Sequence, residues 1–192
     1  MIANSEYLRK TIHLFNLIIP IGYHYLFTDK WQFFKIILFT TFCVLFIDIC
    51  RNFIPFFQSI FSKFFNSMLR EHELRGKLTG ATWVMIGSCV TIALFPKSVA
   101  VLALIYMSIG DTVAGLIGRR YGKHKIGLKS WEGFFSGLAC CLIIALVYSQ
   151  LPIYVSILGA FSAMIFETLP IPLDDNFKIP IGSGGIMMMM YS

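Results

Sequence analysis

An all-α, polytopic membrane protein is the fold class this sequence predicts, and three observations predict it. The 192 residues have a mean hydropathy of +0.74. Counted without Tyr and with Gly, the apolar share is roughly 60%, against about 45–50% in soluble domains, while charged residues make up only 14%. The apolar residues also gather into runs about as long as a bilayer is thick. A soluble domain of this length has no interior large enough for so much apolar surface, and the same composition excludes disorder.

Seven runs approach the roughly 17–25 residues that a spanning helix needs: about 11–28, 31–50, 80–96, 98–118, 131–150, 152–169 and 178–192. The first has no small-residue cleavage site behind it, so it reads as a retained span. Segment 53–69 is different. Phe57, Ile60, Phe61, Phe64, Phe65 and Met68 recur at helical spacing, with Gln58, Ser59, Ser62, Lys63, Asn66 and Ser67 on the other face. That pattern predicts an amphipathic helix lying in the membrane interface, with an imperfect eighth span as the alternative. The last run is weakened by Gly182, Gly184 and Gly185, and its length from Lys178 is only about 15 residues, so a flexible last span is expected. Residues 1–192 read as a single integral membrane domain.

Charge sets the orientation. With the N-terminus in the cytoplasm, every Lys and Arg except Lys30, Lys35 and Lys97 falls on the cytoplasmic side, as the positive-inside rule requires. The net charge of +6 therefore reports topology, and a nucleic-acid partner is excluded. All acidic residues but Asp29 gather at the same ends. A small transporter would hold such groups near the midplane; their collection at one face favours an enzyme working where a cytosolic substrate meets a lipid headgroup. Cys43, Cys50, Cys89, Cys140 and Cys141 form no C-x-x-C pair and read as small packing residues.

The densest chemistry runs from Gly110 to Gly133. Asp111 lies in an otherwise apolar span, where a carboxylate is a functional hypothesis by default. Gly115, Gly118 and Gly122 follow it, allowing a helix or a nucleotide to approach the backbone. Arg119, Arg120, Lys123, Lys125 and Lys129 come next, then Glu132. A positive-inside anchor with a glycine packing face is the plainer account, but it does not require Asp111. The pattern is neither G-x-G-x-x-G nor a Walker A loop. Arg9, Lys10 and His13 share one side of the first helix. Glu73, Arg75 and Lys77 precede the third span, Glu167 ends the sixth, and Asp174-Asp175-Asn176 opens the seventh. Paired carboxylates beside an amide are hard oxygen ligands of the kind Mg²⁺ accepts together with phosphates; acids at a helix start are favoured in any case.

Four motifs occur in order: Arg9-Lys10-x-x-His13, Glu73-x-Arg75-Gly76-Lys77-x-x-Gly80, Gly110-Asp111 through Lys129-Ser130-x-Glu132-Gly133, and Asp174-Asp175-Asn176-x-x-x-Pro180. From Arg9 to about Ile181 the chain resembles the CTP-dependent lipid alcohol kinases: dolichol kinase, phytol kinase and CTP-dependent diacylglycerol kinase. The middle motif is shared with phosphatidate cytidylyltransferases, whose longer C-terminal motif is missing here. The resemblance implies phosphoryl transfer from CTP to a lipid alcohol at the cytoplasmic face, with Mg²⁺ or another divalent cation. In that reading Asp111, Asp174 and Asp175 hold the metal. Arg9, Lys10, Arg119, Arg120, Lys123 and Lys129 neutralise the triphosphate, while Gly115, Gly118, Gly122 and Asn176 line the nucleotide. Asp111, Glu132, Asp174 or Asp175 receives the alcohol proton, with Lys129 completing the catalytic set.

Overall fold

The structure is a computed structural model that describes residues 4–65, 73 and 76–191. Its helices in order are α1 (Asn4–Phe15), α2 (Ile18–Leu26), α3 (Lys30–Phe53), α4 (Pro55–Phe65), α5 (Gly80–Leu94), α6 (Lys97–Ile105), a π turn (Tyr106–Gly110), α7 (Asp111–Tyr121), α8 (Trp131–Val147), α9 (Ile153–Thr168) and α10 (Asp175–Tyr191). Helices Lys30–Phe53 and Lys97–Tyr121, the latter running continuously through the π turn, are long and apolar enough to cross a membrane. Gly80–Leu94, Trp131–Val147 and Ile153–Thr168 are shorter apolar helices.

The expected first span at 11–28 is broken at Asn16–Leu17. Pro20 is the reason. It has no N–H for the Asn16 carbonyl four residues back, and its ring crowds that position. The Asn16 carbonyl instead accepts from Ile19 N at 3.0 Å, a tighter three-residue turn, and the Asn16 side chain meets the His13 ring at 3.3 Å. Of the amphipathic segment expected over 53–69, residues 53–65 are helical, and 66–69 lie outside the described residues. The Ile54–Pro55 step sets α4 off from α3. The last run, 178–192, is helical over 178–191 as part of α10. Gly182 and Gly184 receive the rings of Phe166 and Phe95: a Cβ at either would lie 2.2 Å and 2.4 Å from those rings. Glycine here makes room for aromatic packing, as small residues do between membrane helices.

The all-helical expectation also meets one exception, a hairpin of β1 (Lys125–Ile126) and β2 (Lys129–Ser130), paired Lys125 with Ser130 and Ile126 with Lys129. Gly127 turns it with φ +57°, a conformation glycine adopts freely.

The core is the continuous rod of α6, the π turn and α7. Val99, Ala100, Leu102, Ala103, Leu104 and Tyr106 are fully buried, and Tyr106 donates to Ser156 O at 2.8 Å. Burial is inverted relative to a soluble protein. Phe39 is 70% and Val147 78% exposed, while Lys10, Asp48, Arg51, Glu73, Asp111, Glu167 and Lys178 are buried. Such an inversion suits an outer face that meets lipid tails, with charges withdrawn inward. The bundle has two distinct ends. At one, Lys30 caps the C-terminus of α5 (Ala93 O 2.8 Å, Phe95 O 3.0 Å) and Lys97 caps that of α2 (Phe27 O 2.7 Å), the favoured place for a cation. The other end carries the ionic cluster described next.

Candidate active site

Asp111 is the first residue of α7, directly after the π turn, a distortion common at functional positions. Lys10 of α1 donates to Asp111 Oδ2 at 2.6 Å and to Asp111 O at 3.0 Å; His13 Nε2 lies 3.4 Å from the same Oδ2. Lys10 reaches Asp111 across Gly115, where a Cβ would stand 2.8 Å from Lys10 Nζ. That glycine serves an ion pair.

A second group joins this one from three other segments. Lys129 of β2 donates to Glu167 Oε1 at 2.6 Å and to Asp175 Oδ2 at 2.8 Å, and Lys178 Nζ lies 2.9 Å from Asp175 Oδ1. Glu167 closes the last turn of α9, and Asp175 opens α10. Burial alone would lower the Lys129 pKa, but the carboxylates of Asp175, Glu167 and Asp111 outweigh it and hold the ammonium above the usual lysine range. One oxygen each from Asp111, Glu167 and Asp175 lie within 4.8 Å of one another. Three hard oxygen donors so close together, with the buried His13 Nε2 lacking a hydrogen-bond partner beside them, suit a small divalent cation.

The carboxylate trio therefore contains Glu167, and Asp174 is not one of its members. Asp174 Oδ1 accepts from Asn176 N at 3.0 Å, starting α10 as a cap. Glu132 sits apart, bonded to the His124 ring at 2.8 Å and to His124 N at 3.1 Å, where it ties the hairpin to α8. Arg119, Arg120 and Lys123 are exposed around the end of α7, outside the buried cluster, and Arg9 is half-buried on α1. At Gly118 and Gly122 the Cβ side is filled: a Cβ at either would meet Ser130 Oγ at 2.8 Å and 2.6 Å. They seat α8, whose Gly133 touches Gly118 Cα and Ala114 O. Arg75 lies outside the described residues.

The position of α10 is set by α5. Asp48, buried in α3, accepts from Thr79 N at 2.7 Å and Thr82 Oγ1 at 2.6 Å at the start of α5, and pairs with Arg51, which donates to Lys77 O at 2.7 Å. Glu73 accepts from Gly80 N at 2.7 Å, and Asn176 Nδ2 reaches Gly80 O at 3.4 Å. Pro180 gives the Asn176 carbonyl no N–H, and that carbonyl presses onto Gly87, where a Cβ would be 2.3 Å away. Asp48 and Lys178 belong to no motif; the first reads in sequence as one more acid near a helix end and the second as a positive-inside anchor.

No family model matches the chain, and no solved structure matches it. Among curated proteins, an uncharacterized protein of Rickettsia prowazekii is 28% identical over 183 residues, covering 90% of this chain and 88% of that one. The CTP-dependent diacylglycerol kinase 1 of Schizosaccharomyces pombe is 26% identical over 162 residues, covering 74% of each chain. A probable phytol kinase 2 of Glycine max is 26% identical over 159 residues, covering 72% of this chain and 54% of its own. The chain is thus similar to CTP-dependent diacylglycerol kinases and to probable phytol kinases. In this chain, Lys10 and His13 of the first motif converge on Asp111 of the third, and Lys129 joins the third to Asp175 of the fourth.

Proposed function

We propose that this protein phosphorylates a membrane lipid alcohol, a diacylglycerol or an isoprenoid alcohol, with CTP as donor, at the cytoplasmic face of the membrane. The observation that carries the reading is the meeting of Asp111, Glu167 and Asp175 with Lys10, Lys129 and Lys178 at one end of an apolar bundle. The names of the relatives supply the donor and the acceptor class. The basic residues Arg51, Lys77, Arg119, Arg120, Lys123 and Lys125 at the same end support the cytoplasmic assignment, and seven spans remain the proposed topology.

Phosphoryl transfer asks for in-line positioning and neutralised charge, with little covalent work by the protein. Asp111, Glu167 and Asp175 would hold Mg²⁺, which when bound neutralises the phosphate oxygens and orients them. Lys129, the most exposed of the three lysines, faces the γ-phosphate. Lys10 and Lys178 hold the carboxylates of Asp111 and Asp175 in place. The lipid hydroxyl approaches from the bilayer side, and its proton passes to a carboxylate of the trio. Arg119, Arg120 and Lys123 draw the nucleotide to this end of the molecule by long-range attraction.

The test is purified protein with labelled CTP and a panel of diacylglycerol, polyprenol and phytol. CDP and a lipid phosphate are the expected products. Release of pyrophosphate with a CDP-lipid would make the protein a cytidylyltransferase, and turnover with ATP as fast as with CTP would overturn the donor.

A further inference from the structure

Two of the three converging carboxylates already share a cation. Lys129 Nζ lies 2.6 Å from Glu167 Oε1 and 2.8 Å from Asp175 Oδ2, so one ammonium bridges two of the groups that a divalent ion would share. We propose that Lys129 is a displaceable counter-ion that keeps the divalent-cation site closed until a nucleoside triphosphate draws it away. This rests on the reading of the cluster as a metal–nucleotide site and adds an order of assembly to it.

The spacing fits an ammonium better than a metal. Charged N–H donors approach carboxylates at about 2.7–2.9 Å, whereas Mg²⁺ holds oxygens at about 2.0–2.1 Å, with opposite ligands about 4.2 Å apart. The trio spreads to 4.8 Å, so it must contract by some tenths of an ångström to grip the smaller ion. The charges are also balanced as they stand. Lys10, Lys129 and Lys178 face Asp111, Glu167 and Asp175, so each carboxylate of the trio already has an ammonium beside it.

Of the three lysines, Lys129 is the one placed to leave. Its side chain is 30% exposed, against 8% for Lys10 and 7% for Lys178. It also stands on a two-residue strand beside the Gly127 turn, not on a packed helix. His13 supplies an independent sign of an incomplete shell: its Nε2 is buried, aimed at Asp111 Oδ2 from 3.4 Å, and has no hydrogen-bond partner. When a triphosphate takes up the Lys129 charge, the trio becomes a net anion and the two cations exchange places.

Mn²⁺ binding to the full-length protein without nucleotide, followed by electron paramagnetic resonance, tests this directly. Lys129→Met and Lys129→Gln should bind Mn²⁺ at least tenfold more tightly than the wild type, and Lys129→Arg no more tightly. Lys129→Gln keeps two N–H donors for Glu167 and Asp175, so it serves if Lys129→Met fails to fold. The wild type offers a check that needs no substitution. Amine acetylation at Lys129, read by mass spectrometry, should rise as Mn²⁺ is added without nucleotide. Equal or weaker Mn²⁺ binding in a folded neutral variant, or unchanged acetylation at saturating Mn²⁺, overturns the proposal. If no form binds Mn²⁺, even with CTP present, the metal reading of the cluster itself is lost.

Discussion

A carboxylate within an apolar span costs at least about 2.5–3.5 kcal/mol on insertion scales, and at Asp111 that cost is offset by Lys10 at 2.6 Å with His13 close by. Removing the charge therefore does two separable things. Asp111→Asn strands a buried Lys10, and breaking a buried pair costs about 3–5 kcal/mol. It also removes an oxygen ligand of the proposed metal. Adding Lys10→Met should restore most of the melting temperature in detergent while leaving CTP-dependent phosphorylation down by orders of magnitude. If the double variant regains activity along with stability, Asp111 is a structural residue. The sequence made Asp111 conspicuous because a lone charge in an apolar run has few innocent explanations. Glu167 reads in sequence only as a charge closing a span, while Asp174 and Asp175, as two adjacent acids, resemble a ligand pair. A helix start points consecutive side chains in different directions, about 100° apart. Asp175 thus meets Lys129 and Lys178, while an oxygen of Asp174 accepts from Asn176 N.

Among the helices, the glycines separate into close-packed and open positions, and sequence alone does not tell them apart. Gly133→Ala would put a Cβ 2.7 Å from Ala114 O, against backbone that cannot swing aside, so it should destabilise by about 1–3 kcal/mol and loosen α7 from α8. Gly185 has nothing within 4 Å of its added Cβ, and Gly185→Ala should raise stability by about 0.5–1 kcal/mol through helix propensity. Melting both in the same detergent checks the contrast, and equal effects would mean that the α7–α8 seam is not set by backbone contact. The helices themselves were largely legible, since apolar runs mark them directly. The break after Phe15 was legible in principle from Pro20, because proline removes the donor four residues on. The hairpin was not: two residues per strand leave no periodicity to read, and only Gly127 hints at a turn.

For the molecule as a whole, the two-ended charge distribution makes a topological prediction. Gln150 lies at the end capped by Lys30 and Lys97, where Tyr148 donates to Ser98 O at 2.9 Å, and His124 lies at the end carrying Lys129. Single cysteines placed at 150 and 124, in a background without the five native ones, should differ. Only 150 should react with an impermeant thiol reagent added outside intact cells, and equal labelling would sink the assigned orientation. Lys30 and Lys97 looked like exceptions to the positive-inside pattern. Each is bound to helix-end carbonyls, so their charges complete backbone structure on that side instead of anchoring loops. A charge census cannot distinguish those uses, because the partner is a main-chain oxygen far away in sequence.

The π turn at Tyr106–Gly110 allows a further kind of experiment. A π turn closes over five residues where an α turn closes over four, so it stores one surplus residue within an otherwise continuous rod. Deleting one residue between 106 and 110 would let the rod anneal into plain α-helix with Lys97 and Tyr121 still in phase at its two ends. The scaffold would survive with Asp111 carried in place on α7, and only the widened turn before it would be gone. A single codon loss there should yield an inserted, folded protein, and its turnover shows whether the surplus residue serves the carboxylate cluster or only the architecture of the bundle.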